Sequence, residues 1–439
     1  MTGQRRYSVG AVALGLRHGA HERMTVDWQR VKNWLRNTGL RVLVFALLSA
    51  PAVVSAAADP STTSFIKTSG TNFTLDGRPF FVTGVNNHYL PFGTEAEVTR
   101  VLDDAVALGA NVVRTFLTPI IGSPDDDRTT IWNWHAVGDT SDHLNVHGNY
   151  LLYWDSKKNG MGINEGPNGM QRIDWLVAAA KERHLRLIIT FLDFWDFTGG
   201  IQQMSSWYGV SSNNYFVAVP NMRDDHFFFT DPRTIQDFRH WVEYVVNRMN
   251  PRTGRHYRDD PTIMAWELAN EANAQPNDLR LKWTAEMAAY VKQQDPNHLV
   301  ASGNANIDPT TFDIALPAID FGTWHAYPKY LEIGVDQFDR MIRQYCDVAV
   351  RYQKPVLLEE FGWARSNPGQ VEAYAKWLNT ISENPNCAGW LVWRLVSLQQ
   401  GGTYPLDGHP NAQFDVRRDE IALWNLLHEA TTRGRVKPH

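Results

Sequence analysis

Cysteine is scarce: only Cys346 and Cys387 occur in a chain of 439 residues. That excludes a disulfide-dense scaffold and leaves no Cys/His cluster with the spacing of a zinc site. No metal or cofactor motif stands elsewhere, so neither group is expected. Net charge is also slight. A formal balance of −5 lacks the basic excess of a nucleic-acid-binding face, and no nucleic-acid partner is expected. Long apolar runs are missing too. The stretch Val42 to Leu48 is short for a membrane span and ends near Pro51. No Pro/Ser-rich linker divides the chain, which argues against an appended module.

The first segment has the layout of an export signal. Arg36 and Arg41 precede Val42 to Leu48, and Val53-Val54-Ser55-Ala56-Ala57-Ala58 supplies small residues for cleavage after Ala56 or Ala58. Met24 as the start would give the leader ordinary length, and a retained anchor is the alternative reading. The expected division is an N-terminal extension with signal over 1–58 and one catalytic domain over 59–439. The mature protein is then secreted or periplasmic, with no stable membrane insertion. Nothing hints at an oligomer, so a monomer is expected. An exported protein permits a disulfide, but spacing alone leaves open whether Cys346 and Cys387 meet.

Beyond Phe65 to Phe80, read as a hairpin, strand-like runs alternate with amphipathic helices. Eight strands are expected: Phe81–Val85, Asn111–Phe116, Leu185–Leu192, Thr262–Leu268, Leu299–Ser302, Phe321–Ala326, Pro355–Phe361 and Ala388–Leu395. The helices between them include Glu95–Leu108, Pro232–Met249 and Val335–Tyr352, with only a short one near Pro309–Pro317. The pattern predicts an α/β fold, a single (β/α)₈ TIM barrel with a short N-terminal β-hairpin and long aromatic βα loops. Those loops are Thr118 to Gly169 and Asp193 to Phe229. The chain holds 17 Trp and 15 Tyr. Most are expected in the core, and any surplus suits stacking on sugar rings.

Two strands end on carboxylates, Trp266-Glu267-Leu268-Ala269-Asn270-Glu271 and Leu358-Glu359-Glu360-Phe361-Gly362. A buried carboxylate is costly unless something uses it. In a barrel the C-terminal strand ends carry the active site, and two carboxyls there suit glycosidic bond cleavage. Arg114 on strand two, His325 and Tyr327 on strand six and Trp393 on strand eight reach the same rim. Strand alternation turns Glu359 away if Glu360 faces in. Glu267 is read as a buried partner deeper in the barrel, with Arg114 as its candidate contact.

This set resembles glycoside hydrolase family 5, in the clan of retaining barrel glycosidases, across Phe65 to Glu429. The resemblance implies Glu271 as acid/base, following Asn270, and Glu360 as nucleophile, preceding Phe361-Gly362. It implies that Asn270 bonds the sugar 2-OH, that His325 orients Glu271 or the sugar, and that Trp393 forms the floor under the scissile sugar. Arg114 and Tyr327 would keep Glu360 ionised, and repulsion from Glu360 would keep Glu271 protonated at rest. The finer wording is most similar to the β-mannanase branch: Trp266 to Glu271, Phe194-Trp195-Asp196-Phe197-Thr198-Gly199-Gly200, and Tyr257 to Ile263. Trp195 and Asn87 join the substrate-binding set on this basis. The implied partner is β-mannan or a related polysaccharide or oligosaccharide. Ala272-Asn273 stands where that branch commonly has Pro-Arg, and His88 where it has an aromatic. With the long Thr118 to Gly169 loop, these departures leave endo or exo attack open. The alternatives are an exo-β-mannosidase, a β-1,4-glucanase on the same scaffold, and a carbohydrate-binding protein with an inactive site.

Overall fold

The computed structural model describes residues 63–132, 146–210, 226–273, 277–309, 312–405 and 413–435. The leader and Trp134 lie outside these residues, as does the middle of the first long loop. The chain divides into two units, and every described residue belongs to the second, Ala58–His439.

Eight parallel strands form that unit's centre: β1 (Val82–Asn86), β2 (Val112–Phe116), β3 (Arg186–Thr190), β4 (Ile263–Glu267), β5 (Leu299–Ala301), β6 (Gly322–Ala326), β7 (Val356–Phe361) and β8 (Gly389–Val392). Their order is β5-β4-β3-β2-β1-β8-β7-β6, the circular sequence of a nearly closed barrel. All eight are buried along their length, because helices cover the outside and side chains fill the middle. The β5/β6 seam carries single bonds in place of a ladder. Asp320 N donates to Val300 O, His325 N to Ala305 O and the Asn306 amide to Thr323 O.

The surrounding helices follow their sequence signals. Thr94 and Glu97 form a reciprocal cap on α1 (Glu95–Leu108), and Gly109 closes it at φ 88°. After α2 (Met170–Glu182), Asp231 caps α3 (Pro232–Asn247) with Pro232 at its first turn. Then come α4 (Asn277–Gln294), α5 (Val335–Tyr352), α6 (Gln370–Glu383) and α7 (Ile421–Arg435). Among the described residues between β5 and β6, only a 3₁₀ turn, Asp313–Ala315, occupies the helix position.

The expected hairpin is three antiparallel strands, Lys67–Ser69, Asn72–Leu75 and Arg78–Phe80. The extra strand arises because Thr71 and Gly70 make a turn of their own before Asp76-Gly77. This sheet puts Ile66 and Phe73 against Val82, Val112, Leu299 and Ala388, the first residues of barrel strands or their neighbours, so it plugs the barrel floor. Cys346 on α5 is disulfide-bonded to Cys387, just before β8, with Cα atoms 4.9 Å apart.

The first long loop contains its own strand pair, Leu152–Asp155 with Gly160–Ile163. Trp154 is buried there against Trp207 and Tyr208, so this aromatic serves packing.

Candidate active site

The upper barrel is organised by one guanidinium. Arg114, inward on β2, is fully buried. Its Nε donates to Glu267 Oε2 at 2.8 Å, Nη1 to Glu360 Oε1 at 2.5 Å and to Asn86 Oδ1 at 3.1 Å, and Nη2 to Asn270 Oδ1 at 2.9 Å. Five donors in a rigid fork let one side chain fix four partners at the ends of three strands, β1, β4 and β7. The expected Arg114–Glu267 contact is present, with the Thr190 hydroxyl donating to the same Glu267 oxygen at 2.7 Å.

Glu271 leaves β4 with φ 51°, in the left-handed region where a non-glycine residue is strained. Its backbone N–H bonds Gly303 O at 2.8 Å, which helps hold the bend. The Trp195 indole donates to its Oε2 at 2.8 Å, and His325 Nδ1 lies 2.9 Å from its Oε1. Glu360 accepts from Tyr327 at 2.8 Å as well as from Arg114. Oxygens of Glu271 and Glu360 and a nitrogen of His325 all lie within 4.8 Å of one another.

His325 bridges two carboxyl groups, because its Nε2 lies 3.1 Å from Glu359 Oε2. Burial disfavours its charge, but Glu360, Glu271 and Glu359 outweigh burial and push it up to about 10. It is therefore an imidazolium at neutral pH. Glu271, His325 and Glu360 are also the one group of suitable donors close enough to hold a metal ion among the described residues.

Burial also opposes ionisation of Glu271. His325, Trp195 and Arg114 overcome it and lower its pKa. This runs against the expectation of a protonated Glu271 at rest: the imidazolium at 2.9 Å and the Trp195 indole favour its carboxylate over burial. Burial raises the pKa of Glu360 despite His325, Arg114 and Tyr327.

Alternation misplaced Glu359. Its Oε2 reaches both His325 and, at 3.4 Å, Arg114 Nε. The cause is a bulge: Leu358 pairs with Trp324, while Glu360 pairs with His325, leaving Glu359 as an extra residue between them.

Asn87 does not join the group. Its amide donates to Leu395 O at 2.9 Å and accepts from Tyr89 N at 3.0 Å. Asn86 is the residue at the site, paired with Arg114 in the β1–β2 ladder. Asp193 follows β3. It accepts from the Asn270 amide at 3.0 Å, and burial pushes it up to about 7. Trp393 packs with Phe116, Ala364 and Phe414, with Tyr327 against the same cluster, and stacks on His88 at 5.7 Å.

Known proteins resemble this chain in sequence and in fold. The sequence profile described as GH family 5 beta-mannosidase-like matches residues 168–384. A protein of Oryza sativa subsp. japonica, named as a mannan endo-1,4-beta-mannosidase, is 32% identical over 82% of this chain and 88% of its own. Mannan endo-1,4-beta-mannosidase F of Aspergillus fumigatus is 29% identical over 80% of this chain and 74% of its own. Among solved structures, the endo-1,4-beta-mannanase of Rhizomucor miehei superposes with a TM-score of 0.69 at 26% identity, covering 85% of this chain and all (100%) of the other.

Proposed function

Because the chain belongs to glycoside hydrolase family 5, among its β-mannanases, we propose that it cleaves β-1,4-mannosidic linkages in mannan, glucomannan or manno-oligosaccharides with retention. The carrying observation is the approach of Glu271 and Glu360 to within 4.8 Å. Retaining enzymes hold their carboxyls about 5–5.5 Å apart, whereas inverting ones leave roughly 6.5–9.5 Å for a water.

In this reading Glu360 attacks the anomeric carbon, and Arg114 and Tyr327 aim its oxygens. Glu271 protonates the departing oxygen, then activates the water that releases the sugar. Its proton is drawn from the His325 pair, since the free carboxyl is ionised. The Asn270 oxygen is occupied by Arg114 and one amide hydrogen by Asp193, which orients the remaining hydrogen for the sugar 2-OH. Trp195 both bonds Glu271 and borders the cleft; Trp393 offers a stacking surface.

Endo attack is the favoured mode, because the named relatives are endo-acting. Side-by-side hydrolysis of mannan, glucomannan and cellulose, with products resolved by length, tests substrate and mode together. Mixed oligosaccharides from mannan are expected. Mannose as the sole early product from mannohexaose would make the enzyme exo-acting, and cleavage of cellulose alone would make it a glucanase. A 2-fluoro-mannoside is expected to label Glu360; an unlabelled protein that binds mannan would be a binding protein. We also propose export as a monomer, a reading supported by the leader pattern and compatible with the Cys346–Cys387 bridge. N-terminal sequencing of the protein recovered outside the cytoplasm checks the cleavage.

A further inference from the structure

Glu359 is fully buried, yet the reaction described above does not use it. Its Oε1 and the Oε1 of Glu267 have no donor among the described residues. The two carboxyl groups nevertheless lie within hydrogen-bonding reach of each other. Two ionised carboxylates in this position would repel, whereas one proton shared between the two groups removes the repulsion. Glu267 is the stronger acid. Burial opposes its charge, but Arg114, Glu359 and Thr190 lower its pKa, while burial and the Glu267 charge push Glu359 up to about 8. The proton therefore belongs to Glu359, on the far side of His325 from Glu271.

We propose that Glu359 is a positioning residue for proton delivery: the proton it shares with Glu267 presents a neutral carboxyl to His325 Nε2, which frees the Nδ1 proton to pass to Glu271. The inference rests on Glu271 being the acid/base. In the step, the Nδ1–H bond breaks and an O–H bond forms on Glu271. The imidazole and the carboxyl both become neutral, and Nε2 keeps its proton against Glu359. When Glu359 ionises, an anion stabilises the imidazolium, which then retains its proton, and Glu271 stays a carboxylate. The charged groups facing Glu359 are Arg114 from β2, Glu267 from β4 and His325 from β6, with Glu360 next to it on β7 and Glu271 beyond the imidazole. From β1 it receives only the Asn86 amide, on its backbone oxygen.

The test is kcat/KM against pH for the wild type and Glu359→Gln on two substrates. Mannotetraose needs a general acid; a dinitrophenyl mannobioside does not. Glutamine stays neutral, so the basic limb on mannotetraose is expected to move up by roughly one pH unit, with no such movement on the aryl substrate. An unmoved limb, or an equal loss at every pH on both substrates, overturns the proposal. Infrared spectroscopy gives a second readout that needs no active variant. A protonated-carboxyl band present in the wild type and missing from Glu359→Gln is expected at neutral pH; identical spectra overturn the proposal. Azide rescue of Glu271→Ala on the aryl substrate keeps the two readings apart. Rescue with an unmoved limb removes only the relay, whereas no rescue removes the acid/base assignment and the relay with it.

Discussion

Arg114 shows how much one buried charge organises. Its partners are Glu267, Glu360, Asn270 and Asn86, and no water reaches its guanidinium. Truncating one member of a buried charged network strands the others. Arg114→Ala is therefore expected to lose about 3–5 kcal/mol of stability, measured by guanidinium denaturation. Arg114→Lys keeps the charge but not the fork, and should retain more stability than activity. For the reacting groups, Glu271→Gln is expected to lower kcat on mannan by about 10²–10⁴-fold, with a smaller loss on an aryl mannoside. Equal losses on both would argue against general-acid work.

The same residues set a pH dependence of stability. His325 rises from 6.5 to about 10 on folding and Glu359 from 4.5 to about 8. In both cases the folded state binds the proton more tightly. Their contribution is complete below the unfolded values and is lost as pH climbs through the folded ones. Unfolding free energy is expected to decline from pH 6.5 to 10, and His325→Gln should flatten that decline. Denaturation curves across this range, with the variant alongside, check the sign.

At the scale of elements, the disulfide fastens α5 to the approach of β8 across 41 residues. A bridge of this loop size stabilises by roughly 2–4 kcal/mol. Reduction, or a double Cys346→Ala/Cys387→Ala change, is expected to lower the denaturation midpoint without moving the pH optimum. Neither cysteine's neighbours announced the pairing, because it depends on where a helix face meets a strand three elements of chain later. The strands themselves were legible, since continuous apolar runs bounded by turn residues are what a doubly covered parallel strand requires. Glu271, Glu360, Arg114, His325 and Tyr327 came from those runs' ends, and the structure gathers them. What alternation could not reveal was the bulge beside His325, which brings Glu359 inward, or the choice of Asn86 over Asn87. Both depend on cross-strand register, and register belongs to two segments at once.

For the whole molecule, the barrel separates two tasks by height. Apolar side chains and the three-strand sheet fill the floor, whereas charged groups crowd the opposite rim. Ion pairs near the rim serve aim more than stability, because buried charges gain little net free energy over a well-packed apolar core.

The floor sheet has a consequence for how the protein can be handled. Its first strand, Lys67–Ser69, is wholly exposed and lies at the end of the barrel away from Glu271 and Glu360. A tag or solid support joined ahead of that strand would attach on the blind side. The rim that carries Glu271 and Glu360 would then face the solution, open to the polymer proposed as substrate, which is too large to diffuse around the particle that carries the enzyme.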